Sequence, residues 1–215
     1  FRYITVESEH SVSTVIDGGA VVLAGATDSN VYSFKLVSGA YVNKGQTKIP
    51  FEEVHSIAAS EGIIFFGTKE TGTNIGRFYK ARLVAVDNLY VLAVRQLIKE
   101  WDTAGIDNSP QEIYSTRDSI YVGVKESAST SFLWRYYLPT GGIARDIEFA
   151  EGGIVEGISV FSDRLFATVA TGGLYREQTT YVSTGYVITA LADFFTSEKK
   201  QWVGAKLNTN VVSSG

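Results

Sequence analysis

Apolar and polar positions along this chain alternate in short runs, and the runs recur. Four acidic residues each open an apolar strand. Asp17 precedes Ala20-Val21-Val22-Leu23, Glu61 precedes Ile63-Ile64-Phe65-Phe66, Asp118 precedes Ile120-Tyr121-Val122, and Asp163 precedes Leu165-Phe166-Ala167. Subtracting these positions gives intervals of 44, 57 and 45 residues. Downstream, two clear copies of one signature close a strand at a turn: Tyr32-x-Phe34-x-Leu36-x-Ser38-Gly39 and Trp134-x-Tyr136-x-Leu138-x-Thr140-Gly141. A degenerate copy, Tyr79-x-Ala81-x-Leu83, lies between them. Period-two placement with turn residues at the ends predicts strands. Units of about 40–50 residues holding some four strands each predict a β-propeller.

Helical periodicity is nearly absent. Leu89 to Trp101 could be read as a helix, but its β-branched and aromatic content favours an extended strand. Turns are predicted at Asp17-Gly18-Gly19, Thr27-Asp28-Ser29-Asn30, Thr71-Gly72-Thr73-Asn74, Asp107-Asn108-Ser109-Pro110 and Thr140-Gly141-Gly142. In the run 132–138, Phe132, Trp134, Tyr136 and Leu138 share one face, while Leu133, Arg135 and Tyr137 share the other. A strand largely apolar on both sides needs cover on both sides, as sheets stacked face to face provide. The expected fold is therefore all-β and propeller-like, a single domain over 1–215 of about four to five four-stranded blades. Its repeats fall near 12–55, 56–112, 113–157 and 158–207. Residues 1–9, alternating at Arg2 to Glu7, read as one more strand. A ring closed within the chain and an incomplete ring cut from a longer one fit equally well.

Composition narrows the function classes. With 45% hydrophobic and 20% charged residues, the chain has globular values. A net charge of −4, with 19 scattered Lys and Arg, argues against nucleic-acid binding, which needs a clustered basic face. The absence of Cys excludes disulfides, thiolate metal sites and Cys nucleophiles, and fits a bacterial, phage or cytosolic source. No apolar run approaches the ~20 residues of a membrane helix, so membrane insertion is not expected. A chain that begins at Phe1 and holds no Met reads as an excised domain or a processed fragment.

Candidate chemistry is sparse. His10 and His55 lack metal-ligand spacing and read as ordinary strand or loop residues. Asp17, Glu61, Asp118 and Asp163 would lie at one end of a propeller and could converge on calcium. Each turn offers only one acid, so a turn role is the reading taken. Glu112, Asp146, Glu148 and Glu151 are the carboxylates available for glycoside chemistry, which requires a spatial separation that sequence does not give. Tyr32, Phe34, Trp134 and Tyr136 could stack on sugars, but their every-second-residue placement predicts core packing. With Trp134 and Tyr136 in the core, Trp134→Ala is then expected to carry a full large-to-small cost. Gly72 to Gly76 is a loop, since no Lys-Ser/Thr or helix follows. No Gly-x-Ser-x-Gly elbow and no Ser-x-Asp-x-Gly-x-x-Trp box occurs.

The segment from Val182 departs from the repeat: Val182-Ser183-Thr184-Gly185-Tyr186-Val187-Ile188-Thr189-Ala190-Leu191-Ala192-Asp193-Phe194-Phe195, then Ser197-Glu198-Lys199-Lys200-Gln201-Trp202. Following degenerate repeats, this run resembles bacteriophage tail structural proteins, particularly minor tail proteins, most strongly over 182–207. The resemblance implies a virion component with other virion or tail proteins, and a host surface glycan or receptor, as partners. It supplies no catalytic, cofactor-binding or metal-binding residue. A carbohydrate-binding or carbohydrate-active propeller and a bacterial surface scaffold remain open as alternatives.

Overall fold

A computed structural model of the protein describes residues 11–16, 21–150, 152–162 and 164–177. All of them lie within the compact unit Phe1–Gln178. The predicted strand at 1–9, the acids Asp17, Asp163 and Glu151, His10 and the tail-like segment 182–207 lie outside the described residues.

The described residues contain no helix. Fifteen strands form four antiparallel sheets. Sheet 1 holds β1 (Ser11–Ile16), β2 (Val21–Ala26), β3 (Asn30–Val37) and β4 (Ala40–Lys48). Sheet 2 holds β5 (Glu52–Ser60), β6 (Ile63–Glu70), β7 (Gly76–Val86) and β8 (Leu89–Trp101). Sheet 3 holds β9 (Glu112–Ser115), β10 (Ser119–Lys125), β11 (Ser131–Tyr137) and β12 (Gly142–Phe149). Sheet 4 shows β13 (Val155–Phe161), β14 (Arg164–Val169) and β15 (Gly173–Arg176). Each sheet is a meander, with strands paired in chain order and no ladder joining one sheet to another. The sheets meet through their first strands: β1 lies against β5, β5 against β9, and β9 against β13.

Local chemistry explains these elements. Leu89–Trp101 is the strand β8, as its β-branched and aromatic content predicts. Ser38-Gly39, Glu61-Gly62 and Asp87-Asn88 all take positive φ, the backbone of two-residue hairpin turns whose twist matches the strands. Glu61 is thus placed by the turn it helps make. The apolar runs at Val21–Leu23 and Ile63–Phe66 are second strands, each held between neighbours within its sheet. Hairpins between third and fourth strands carry a bulge beside the signature aromatic, at Ser33/Phe34, Phe78/Tyr79 and Leu133/Trp134.

Alternation then distributes the core. Phe66 packs between sheets 1 and 2 with Leu23, Val54, Ile57 and Ile64. Its neighbour Phe65 points the other way, between sheets 2 and 3, with Phe78, Ile120, Val122 and Tyr136. Leu133 faces sheet 4 with Phe149, Val155, Ile158 and Leu165. Sheets 2 and 3 are therefore covered on both faces. Val22, Ala24 and Phe34 are buried on the remaining face of sheet 1.

Close approach between sheets depends on missing side chains. A Cβ on Gly123 of β10 would stand 2.6 Å from the Val155 Cβ, and one on Gly67 of β6 would stand 2.6 Å from the Pro110 Cβ. Both glycines let the chain entering the next sheet lie directly on the second strand of the previous one. The link between sheets 2 and 3 is pinned by Asn108, which is fully buried. Its side chain accepts from the Thr103 N–H at 2.6 Å and donates to the Lys125 carbonyl at 2.7 Å, while its own N–H donates to the Asn74 carbonyl at 3.0 Å.

Candidate functional site

A cleft of about 550 Å3 with convergent polar groups lies on sheet 3. One wall is the start of β12, from Gly142 to Asp146, and the floor is Arg135 and Tyr137 of β11 with Asp118 of the β9–β10 turn. Alternation puts Arg135 on the same face as its cross-strand partner Tyr121. Its guanidinium carbon lies 5.7 Å from the Tyr121 ring centre and 5.8 Å from that of Tyr137. Arg135 Nε donates to Ser119 Oγ at 2.8 Å, and a terminal nitrogen lies 3.7 Å from Asp118 Oδ2. Cation–π contact, the hydrogen bond and the ion pair together fix the guanidinium in the cleft lining.

Asp146 is the residue bulged out of β12, since Ile147 pairs with Leu133 and Arg145 with Trp134. A bulge re-aims a side chain, and this one brings Asp146 under the influence of Arg135 and Glu177. Packing pushes the Asp146 carboxyl pKa up, Arg135 draws it down, and Glu177 adds to the rise. Asp146 remains open to water. Burial first, and then the charges of Asp146, Glu177 and Asp118, raise the Tyr121 phenol against the pull of Arg135.

Asp118 also borders a second depression of about 660 Å3, shared with Glu61, Thr116, Arg117, Leu138 and Pro139. Sheets 2 and 3 thus present their first turns to a common hollow. Turn bonding fixes Asp118 locally: its Oδ1 accepts from Ser119 Oγ at 3.1 Å and Thr116 Oγ1 at 3.3 Å, and its carbonyl accepts from the Leu138 N–H at 2.9 Å. Among the described residues, no cluster of His, Asp and Glu is arranged to hold a metal ion.

The other sequence candidates separate. His55 occupies the bulge of β5, with Nε2 3.3 Å from Glu53 Oε2. Glu148 sits on β12 opposite Phe132, and Glu112 opens β9 opposite Gly123. Phe34 and Tyr136 are core residues. Tyr32 is half-buried, with its hydroxyl bonded to Asp28. Trp134 is also half-buried, edge-on to Trp101 at 5.8 Å, with its indole N–H bonded to Glu126. Lys99 lies 4.9 Å from its ring centre. Gly72 to Ile75 lie in the β6–β7 loop, and Gly76 opens β7. Sequence reasoning did not assign Arg135, Tyr137, Tyr121 or Glu177 to a site. The alternation of Leu133, Arg135 and Tyr137 on one face was the available signal.

Glu112 supplies a pH test. Burial alone pushes its carboxyl up to about 7. A carboxyl raised on folding contributes stability that is present below its unfolded value and lost as pH rises through about 7. Glu112→Gln is therefore expected to leave stability at pH 4 little changed and to raise it at pH 8. Water reaches part of this group, which limits the gain to about 1 kcal/mol. Urea midpoints at the two pH values are the measurement, and parallel shifts at both would exclude the assignment.

A second polar cluster serves the fold. Glu52, buried at the start of β5, accepts from Arg77 at 2.9 Å, Tyr79 Oη at 2.7 Å and Thr68 Oγ1 at 2.6 Å. Arg77 also donates to Glu100 at 2.7 Å and Glu70 at 3.3 Å. Every charge here has a partner within sheet 2.

Fold and cleft together define an all-β protein of four antiparallel meanders with an open, ligand-sized hollow on the third. No protein-family model matches the chain, and no curated protein matches it. Among solved structures it is similar to a crystal structure of the computationally designed protein Ika8, at 16% identity and a TM-score of 0.44. The similarity covers 73% of this chain and 42% of that one, so the chain spans less than half the designed protein's length.

Proposed function

We propose that this chain is a non-enzymatic, propeller-type structural and binding domain of a phage tail or other virion protein, with exposed surface available to the host. The observation that carries the propeller reading is the repetition of one meander, its successive copies meeting through β1, β5, β9 and β13. Burial of Val22, Ala24 and Phe34 on the terminal face of sheet 1 favours a ring over an open stack, whose end face would be wet. The virion assignment rests on the resemblance over 182–207. Rigid sheets with function in the connecting loops suit a part held within an assembly.

A second reading, a carbohydrate-binding or carbohydrate-active propeller, is favoured by the meeting of Asp118, Asp146, Arg135 and Tyr137 in one cleft. The two readings differ in what they predict for particles and for turnover. Antibodies raised against the purified chain are expected to decorate the tails of phage particles under immunogold microscopy. Unlabelled particles, with the protein found instead in the bacterial envelope, would reject the virion assignment. Chromogenic glycosides and polysaccharides are expected to pass through unhydrolysed. Turnover abolished by Asp146→Asn or Asp118→Asn would establish the enzymatic alternative.

A further inference from the structure

We infer that the sheet 3 cleft is a subsite for a neutral saccharide, with Arg135, Asp118 and Asp146 as its polar contacts and Tyr137 as its stacking surface. The inference rests on the binding role proposed above and names the chemistry that role would use.

Size comes first. A hollow of about 550 Å3 falls in the range of small-molecule sites, roughly 300–1,000 Å3. A second depression of about 660 Å3 also borders Asp118, which puts a further hollow beside the first.

Charge then selects the ligand class. Two carboxylates, Asp118 and Asp146, and two guanidiniums, Arg135 and Arg145, line the cleft. Arg145 borders the cleft, but its guanidinium is bound to Glu126 and lies 5.5 Å from the Trp134 ring centre. With those charges balanced, a phosphate or a sialic acid would find no net positive charge to draw it in. A simple cation would suit the acids, but the Arg135 guanidinium already lies near the two tyrosine rings. What remains is a fork of N–H donors beside carboxylate acceptors. Sugar hydroxyls both donate and accept, so adjacent hydroxyls match that pairing without adding charge.

The rim supplies the apolar half. Tyr137 is 39% exposed, a large ring left open at the mouth. Its position two residues from Arg135 on the same strand sets ring and guanidinium side by side. A pyranose presents an apolar C–H face and an edge of hydroxyls, and the cleft offers a counterpart to each.

Saturation-transfer NMR and titration calorimetry on the full chain provide the test. The probes are di- and tetrasaccharides of the gluco, galacto, manno and N-acetylglucosamine series, with sialyllactose and spermidine alongside. At least one neutral series is expected to bind, the tetrasaccharide more tightly than the disaccharide. Arg135→Lys and Tyr137→Ala are each expected to weaken that binding about ten-fold, through loss of the planar two-donor fork or of one stacked ring, at an unchanged melting temperature. Asp146→Asn serves as a third variant should either of these unfold. Failure of every neutral series to bind, preference for sialyllactose or spermidine, or binding indifferent to all three variants would each overturn the inference. Tail labelling that persists without glycan binding would remove this inference and leave the virion reading standing.

Discussion

Phe65→Ala is expected to destabilise the protein by about 3–5 kcal/mol, the cost of truncating a fully buried aromatic. Phe65 has no exposed surface. Its ring centre lies 6.0 Å from Phe78 within sheet 2 and 5.7 Å from Tyr136 of sheet 3. Phe78 and Tyr136 lie 6.1 Å apart, edge to face. These three rings hold two sheets together where no backbone ladder joins them, so the cavity left by alanine opens at the joint itself. For a domain of this size, the loss corresponds to a melting temperature lower by about 6–20 °C. Thermal unfolding followed by circular dichroism is the check, and a shift of under a degree would show that the joint is made elsewhere. Trp134 is expected to lose less on truncation than the full cost anticipated from its sequence position, because it is half-buried and its indole N–H is bonded to Glu126.

Arg77→Ala is expected to cost about 3–5 kcal/mol by stranding the Glu52 carboxylate inside sheet 2. Only 9% of the Glu52 side chain and 18% of the Arg77 side chain are exposed. The hydrogen bond to Glu100 leads in raising the Arg77 pKa, with Glu52 and Glu70 contributing against the effect of burial. Burial, followed by Glu52, raises the Tyr79 phenol well beyond its ordinary range, so its hydroxyl stays a donor. Thr68 and Tyr79 would still bond Glu52 in the variant, but neither carries charge. Removing both ions, as in Glu52→Gln with Arg77→Met, is expected to recover much of the loss. Denaturant midpoints for the two single variants and the double give the coupling directly. A strictly additive double variant would contradict the description of Glu52 and Arg77 as one unit.

Much of the local structure was legible because it depends on neighbours in sequence. Leu89–Trp101 is extended for the reason its side chains suggest, and the turns at Thr27–Ser29 and Thr71–Asn74 fall between the strands that the alternation predicts. The acids Glu61 and Asp118 belong to first turns, where one carboxylate each favours a backbone role. Strand 132–138 shows how far the pattern reaches. Its two faces were readable, and Leu133 and Tyr136 do pack into different joints. The fate of the second face was not readable, since burial of Leu133 and exposure of Tyr137 depend on how far sheet 4 extends over it.

The cleft falls on the other side of that division. Asp146 was only one acid among several until a bulge in β12 moved it beside Arg135. Glu177, just past β15 of sheet 4, acts on Tyr121 and Asp146. Sequence alone determined what is periodic and local: an all-β chain, its strands and turns, and the repeated unit. Tertiary structure decided which face of each strand is dry, which glycines let the next sheet approach, and which polar side chains share a hollow. The reason is physical. Strand and turn preferences are set within a few residues, while a site is made by groups tens of residues apart whose meeting depends on register, bulges and the stacking of whole sheets.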